Sequence, residues 1–163
     1  MNKIHLNFGK VIICSEIVSV VLLLISAIPL FNYDLLVDLI IPSHYNLMGE
    51  VDGWSDRSFF SSIFLIEVLL FVLCSICQLF PSIINIPFNI NRKAPEVKAV
   101  LIRMASFSKM WLVSIFTVSI IFTYMNALGK TSVSPFPFCM ILLGIMALSL
   151  IYYVIKLYKM RVH

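Results

Sequence analysis

Charge is scarce in this chain: Asp, Glu, Lys and Arg together make up 12% of 163 residues, while 61% are hydrophobic. Soluble domains carry roughly twice that charged share, so this composition cannot assemble a water-facing surface, and the mean hydropathy of +1.02 agrees. Glycine is also scarce, at five residues. None of them falls in G-x-x-x-x-G-K-[ST] or G-x-G-x-x-G spacing, which excludes the two commonest phosphate-cradling loops. H-E-x-x-H and G-x-S-x-G are missing as well, so neither a zincin helix nor a nucleophile elbow is written here. The four cysteines form no disulfide framework: Cys14, Cys74 and Cys77 lie inside apolar runs and Cys139 near the end of another. Cys74 and Cys77 have C-x-x-C spacing, yet no His or second ligand pair accompanies them, and they read as small buried apolar residues. No internal repeat or low-complexity tract occurs, and no series of short alternating segments such as a β-barrel needs.

What the chain does have is four long apolar runs: Val11 to Phe31, Phe59 to Phe80, Phe107 to Leu128 and Phe136 to Leu157. Each is close to the roughly 20 residues a helix needs to cross about 30 Å of hydrocarbon. Helices are the form expected, because lipid offers no partner to an unpaired backbone amide. The first run follows Lys3 and Lys10 as a signal peptide would, but it is longer than a signal h-region, lacks an A-x-A site and carries Glu16, so it is expected to be a retained span. The fold class expected is therefore all-α: an integral membrane four-helix bundle, multi-pass in the cell membrane, with the lipid bilayer as its main partner. It forms one membrane domain over residues 1–163, with spans 11–31, 59–80, 107–128 and 136–157, an outer loop 32–58 and a cytoplasmic loop 81–106.

Orientation follows from the basic residues. Lys3 and Lys10 precede the first span, Arg92, Lys93, Lys98 and Arg103 lie in the loop after the second, Lys109 stands at the mouth of the third, and Lys156, Lys159 and Arg161 follow the fourth. The first loop instead holds Asp34, Asp38, Glu50, Asp52 and Asp56 against Arg57, and the last loop only Lys130. Basic loops mark the cytoplasmic side, so both termini are expected inside. The net charge of +4 thus follows from topology and implies no nucleic-acid partner. Trp54, Trp111, Tyr124, Tyr152, Tyr153 and Tyr158 are placed as interfacial anchors. Within the cytoplasmic loop, Val97, Val100, Leu101 and Met104 share one helical face with Lys98 and Arg103 away from it, which predicts an amphipathic helix lying on the membrane surface or against a partner protein.

The outer loop is unusually dense in distinctive residues. Pro42 biases its neighbour toward extended backbone, and Gly49 and Gly53 permit tight turns. Around them stand His44, Tyr45, Asn46, Glu50, Asp52 and Trp54, a set that predicts a built structure rather than a slack link. Asp56, near the start of the second span, is placed to cap that helix. His44, Glu50 and Asp52 are also of the types that ligate divalent ions, but their spacing is not diagnostic, and neither a metal site nor a cofactor is assigned. The readings of the loop are a structural cap, a partner-binding surface formed by Pro42, His44, Tyr45, Asn46, Gly49, Glu50, Asp52 and Trp54, and, as a third alternative, a metal-dependent activity on the outer face.

The run I-P-S-H-Y-N-L-M-G-E-V-D-G-W-S-D-R, residues 41–57, is similar to the P-x-H-[FY]-N-x-x-G-x-x-D-x-W-x-[ST]-K pattern of the DUF1648 domain family, which includes SdpI-like immunity and signalling membrane proteins of bacteria. The match rests on Pro42, His44, Tyr45, Asn46, Gly49, Asp52 and Trp54, with one span before the motif and one after it. Asp56-Arg57 stands where the family has Lys after the Trp. The resemblance implies a non-enzymatic membrane protein giving bacteriocin-type immunity to a membrane-active peptide toxin, or relaying its presence to a cytoplasmic regulator. A second class of reading comes from the intramembrane polar residues Glu16, Glu67 and Lys109, since ionisable groups at such depth are functional or paired. Glu16 lies about 8 Å into the first span and Glu67 about 12 Å into the second from the opposite face, so the two are not a shared-proton dyad. Lys109 is at a depth suited to Glu16. Glu67 lacks a cation at its level and is expected as a protonated carboxyl beside Thr117 or Ser119, where a small transport-related protein or transporter accessory subunit would use it.

Overall fold

In the computed structural model, residues 3–161 are described, those of 3–8 by backbone alone, so the side chain of Lys3 lies outside the described residues, as do Met1, Asn2, Val162 and His163. The chain runs through helix α1 (Lys3–Ser26), a one-turn helix α2 (Ile28–Phe31), strands β1 (Ile41–Tyr45) and β2 (Val51–Ser55), and helices α3 (Ser58–Leu79), α4 (Pro95–Ala127) and α5 (Phe136–Tyr158). Four segments are long and apolar enough to cross a membrane: Gly9–Phe31, Ser58–Leu79, Pro95–Ala127 and Phe136–Tyr158. The protein is a multi-pass membrane bundle. Its surface follows from that solvent, with Ile13, Ile17, Leu24, Leu65, Leu69, Leu73, Ile141 and Leu148 all exposed around the outside of the helices, where only hydrocarbon can accommodate them.

Local sequence sets the helix ends. Pro29 cannot donate to the i−4 carbonyl and its ring clashes there, so α1 breaks at Ala27 before resuming as α2. Pro81 follows the end of α3, and Pro95 begins α4 at the helix position where its missing N–H costs nothing. Gly129, at φ +66°, lets Lys130 N–H reach back 2.9 Å to the Met125 carbonyl and close α4.

α4 is the central helix, packed against α1, α3 and α5, while α1 and α3 touch only marginally. Apolar clusters hold the two ends. At one end Leu36, Ile41, Phe60, Ile120 and Tyr124 join the base of the hairpin to α3 and α4. At the other, Ile86, Val97, Val100 and Leu101 pack on Tyr153 and Leu157 of α5. Between the clusters the buried positions include Ser15, Ser19, Ser26, Glu67, Ser106, Lys109 and Thr117. Ser15, Ser19 and Ser26 share one face of α1 and let it lie close to α4, as small residues do in membranes. The bundle is apolar outside and polar along its axis.

Two expectations are corrected here. Residues 95–104 form no surface-lying helix: they are the first turns of the 33-residue α4, because Val97, Val100 and Leu101 are covered by Ile86, Tyr153 and Leu157 rather than by lipid. The third helix therefore starts at Pro95, not at 107. Tyr124 and Tyr153 are each 8% exposed and stack edge-on with Phe60 and tilted against Phe107, so they are core residues and not interfacial anchors. Trp54 and Tyr152 are exposed. The loop 32–58 adds what an all-α description lacks, a two-stranded antiparallel sheet.

Candidate functional site

The hairpin is built by its own polar residues. Asn46 follows β1, and its Oδ1 accepts the N–H groups of Met48 (2.9 Å) and Glu50 (3.0 Å) while its Nδ2 donates to Glu50 Oε2 at 3.0 Å. Gly49 takes φ +81°, which only glycine adopts at no steric cost, and its N–H closes the turn on the Asn46 carbonyl at 2.9 Å. The pairing register runs Ile41–Ser55, Pro42–Trp54, His44–Gly53 and Tyr45–Val51, with irregularities on either side of His44. One extra residue on each strand, Ser43 and then Asp52, restores the register, and such bulges re-aim side chains. Here they bring His44 Nδ1 to 2.5 Å from Asp52 Oδ1 on an exposed face. Asp56 Oδ1 accepts the N–H of Ser58, the first residue of α3, at 2.7 Å, and this bonding to Ser58 holds the Asp56 carboxyl below its ordinary range. Arg57 lies over the Tyr33 ring, 4.5 Å from its centroid.

Between the hairpin and the α4–α5 link is a recess of about 450 Å³ lined by Pro42, Tyr45, Glu50, Trp54, Asn126 and Thr131, among others. Asn126 Nδ2 donates to the Val133 carbonyl at 3.0 Å and to Tyr45 Oη at 3.2 Å. Since a carbonyl only accepts, that bond fixes the amide orientation, and it leaves Asn126 Oδ1 buried without a partner among the described residues. Of the loop residues singled out in the sequence, the recess gathers Pro42, Tyr45, Gly49, Glu50 and Trp54. His44, Asn46 and Asp52 stay outside it and hold the hairpin's shape. Among the described residues no three His, Cys, Asp or Glu side chains gather as a metal set: Glu50 is bonded to Asn46, away from the His44–Asp52 pair. Asn126 was not among the sequence candidates. Its one sequence signal is an amide near the end of an apolar span.

Two polar tiers lie below the hairpin. In the first, Glu67 is 1% exposed; Thr117 Oγ1 lies 3.3 Å from its Oε1 and 2.8 Å from the Val113 carbonyl, and the Ser26 side chain stands beside the carboxyl, while Oε2 completes no hydrogen bond among the described residues. Ser119 faces elsewhere, beside Ile63, Ile115, Phe116 and Cys139. About 12 Å further along α4, at 1.5 Å per residue, Lys109 Nζ meets Glu16 Oε2 at 2.5 Å, Gln78 Oε1 at 3.0 Å and Ser75 Oγ at 3.1 Å. Glu16 Oε1 accepts from Ser106 at 2.9 Å, and Ser106 is 2.6 Å from Ser15. This node ties α1, α3 and α4 together.

Comparison of the chain with protein-family models, with curated proteins and with solved structures finds no match.

Proposed function

We propose that this is a non-enzymatic protein of the cell membrane whose hairpin faces outward and binds a cationic, membrane-active peptide, giving immunity to it or relaying its presence inward. The observation that carries the reading is the chemistry of the recess. It presents the Glu50 carboxylate, the Trp54 ring and the unpartnered Asn126 Oδ1, an acceptor-rich set suited to ammonium or guanidinium groups. The loop that carries the hairpin also holds Asp34, Asp38, Asp52 and Asp56 against Arg57, and the last loop Lys130, and such a charge balance draws a cation in. The resemblance of residues 41–57 to the DUF1648 motif supports the same role. For a relay, the hairpin is fastened to α4 through Ile41 and Tyr45, and α4 reaches the opposite end of the bundle, about 50 Å away.

The orientation has its own test. In a Cys-free background, Leu47→Cys is expected to react with an impermeant maleimide on intact cells, and Lys93→Cys only after permeabilisation. The reverse pattern overturns the N-in, C-in arrangement.

A second reading is favoured by the lone Oε2 of Glu67: a small transport-related protein, or an accessory subunit, that uses this carboxyl. One comparison separates the two. Cells expressing the chain are challenged with a Lys/Arg-rich membrane-active peptide, and peptide binding to the purified chain is measured. Glu50→Gln with Asn126→Leu is expected to weaken binding roughly 10- to 100-fold, the loss of one or two charge-assisted bonds, and to abolish protection, while Glu67→Gln keeps both. Full protection by the recess variant, with loss in Glu67→Gln and ion-dependent flux in proteoliposomes, moves the function to Glu67.

A further inference from the structure

The bundle end opposite the hairpin carries a second recess, of about 540 Å³, whose lining includes Leu79, Phe80, Ser82, Arg92, Lys93 and Lys98. Its volume falls within the roughly 300–1,000 Å³ of small-molecule sites. Three of its walls are cations and none is a carboxylate. Arg92 Nη1 donates to the Ser82 carbonyl at 3.0 Å, which fixes the guanidinium against the turn after α3 with further N–H groups to spare, since Arg has five. Lys93 and Lys98 form no ion pair among the described residues. The opposite wall is apolar: Leu79 is 74% and Phe80 60% exposed, and they end the lipid-facing side of α3. The recess thus joins a cationic pocket to a hydrocarbon-facing edge at the level where a membrane changes from tails to headgroups.

We infer that this recess is a binding site for an anionic glycerophospholipid, its phosphate held by Arg92, Lys93 and Lys98 and its acyl chains laid along Leu79 and Phe80. Charge complementarity selects the phosphate, since a basic pocket at a helix end attracts anionic headgroups and Arg matches phosphate oxygens with paired donors. The apolar wall selects a lipid over a soluble anion. The site does not depend on what the hairpin binds or on which way the bundle faces.

The test uses the full chain in a neutral detergent. Native mass spectrometry and thermal melting are measured with added phosphatidylglycerol, phosphatidylcholine or inorganic phosphate. Phosphatidylglycerol is expected to remain bound and raise Tm, with phosphatidylcholine and inorganic phosphate giving neither effect. Lys93→Gln/Lys98→Gln, which keeps the Arg92 tether, is expected to weaken phosphatidylglycerol binding about thirtyfold, from the usual contribution of two basic residues near a membrane surface. Lys156→Gln/Lys159→Gln removes the same charge at the end of α5 and is expected to leave binding intact. Equal loss in both variants makes the attraction diffuse and overturns the site. Inorganic phosphate that stabilises or competes as well as the lipid overturns the assignment to a phospholipid.

Discussion

Replacing Lys109 by Met is expected to destabilise the bundle by roughly 3–5 kcal/mol, the usual effect of leaving one partner of a buried ion pair alone. The Lys109 side chain is 2% exposed and that of Glu16 33%, so the loss should fall toward the lower end. An ammonium has three donors, and all three are used, on Glu16, Gln78 and Ser75, with the Phe71 ring 4.8 Å from Nζ. Ordinary hydrogen bonds between membrane helices average about 0.6 kcal/mol, well below the loss expected here. Removing the cation also strands acceptors on two helices at once. The measurement is the midpoint of denaturation in mixed micelles, with expression level alongside. Glu16→Gln alone is expected to destabilise too, since a buried ammonium then faces only neutral acceptors. The double variant Glu16→Gln/Lys109→Met should be more stable than the sum of the two losses by about 0.5–3 kcal/mol, the range for residues in one network. Strictly additive losses would mean that the two side chains do not depend on each other.

This node was legible in the sequence for a specific reason. An ionisable group inside an apolar span demands an explanation, and counting 1.5 Å per residue puts Glu16 and Lys109 at one level. Ser75 and Gln78 gave no such signal, because Ser and Gln are ordinary near helix ends. The spans were legible because hydrocarbon sets a length that four runs of the chain meet. The start of α4 was not. Val97, Val100 and Leu101 form an apolar stripe that would suit a membrane surface equally well, and what decides between them is Ile86 together with Tyr153 and Leu157, which fold back from elsewhere in the chain to cover it. Tyr124 and Tyr153 escaped for the same reason, since an aromatic at a span end is an anchor or a core residue depending on whether Phe60 or Phe107 stands beside it. The loop's composition announced a fixed shape through Pro42, Gly49 and Gly53. Its strands stayed hidden, because each has five residues and the irregularities at His44 break the alternation on which strand reading rests. The recess needs Asn126, which lies 81 residues from its partner Tyr45, and no local pattern could bring those together.

Gly53→Ala is expected to open the hairpin without disturbing membrane insertion. A Cβ at position 53 would lie 2.8 Å from the Cβ of His44 and 3.7 Å from its backbone N. His44 is its direct cross-strand partner, and the atoms in the way are next to the main chain, not the end of a flexible side chain. The strands must therefore separate or slide, and overpacking of this kind costs typically 1–3 kcal/mol, a large share of what so small a sheet can hold. Separation would pull His44 from Asp52 and carry Tyr45 away from Asn126, so the recess would lose its wall together with its hairpin. Amide hydrogen exchange over residues 41–55 is expected to rise about 5- to 150-fold in this variant, the equivalent of that range, and peptide binding to fall with it. Helix content and insertion should stay unchanged, because they depend on the apolar spans. Gly144→Ala is the control: a Cβ there meets nothing within 4 Å, and in the middle of α5 alanine is the better helix former. If Gly53→Ala leaves exchange over residues 41–55 as slow as in the parent chain, the close pairing of the two strands is wrong. If exchange rises but peptide binding survives, the hairpin is a cap on the bundle, and the binding surface must be sought elsewhere on it.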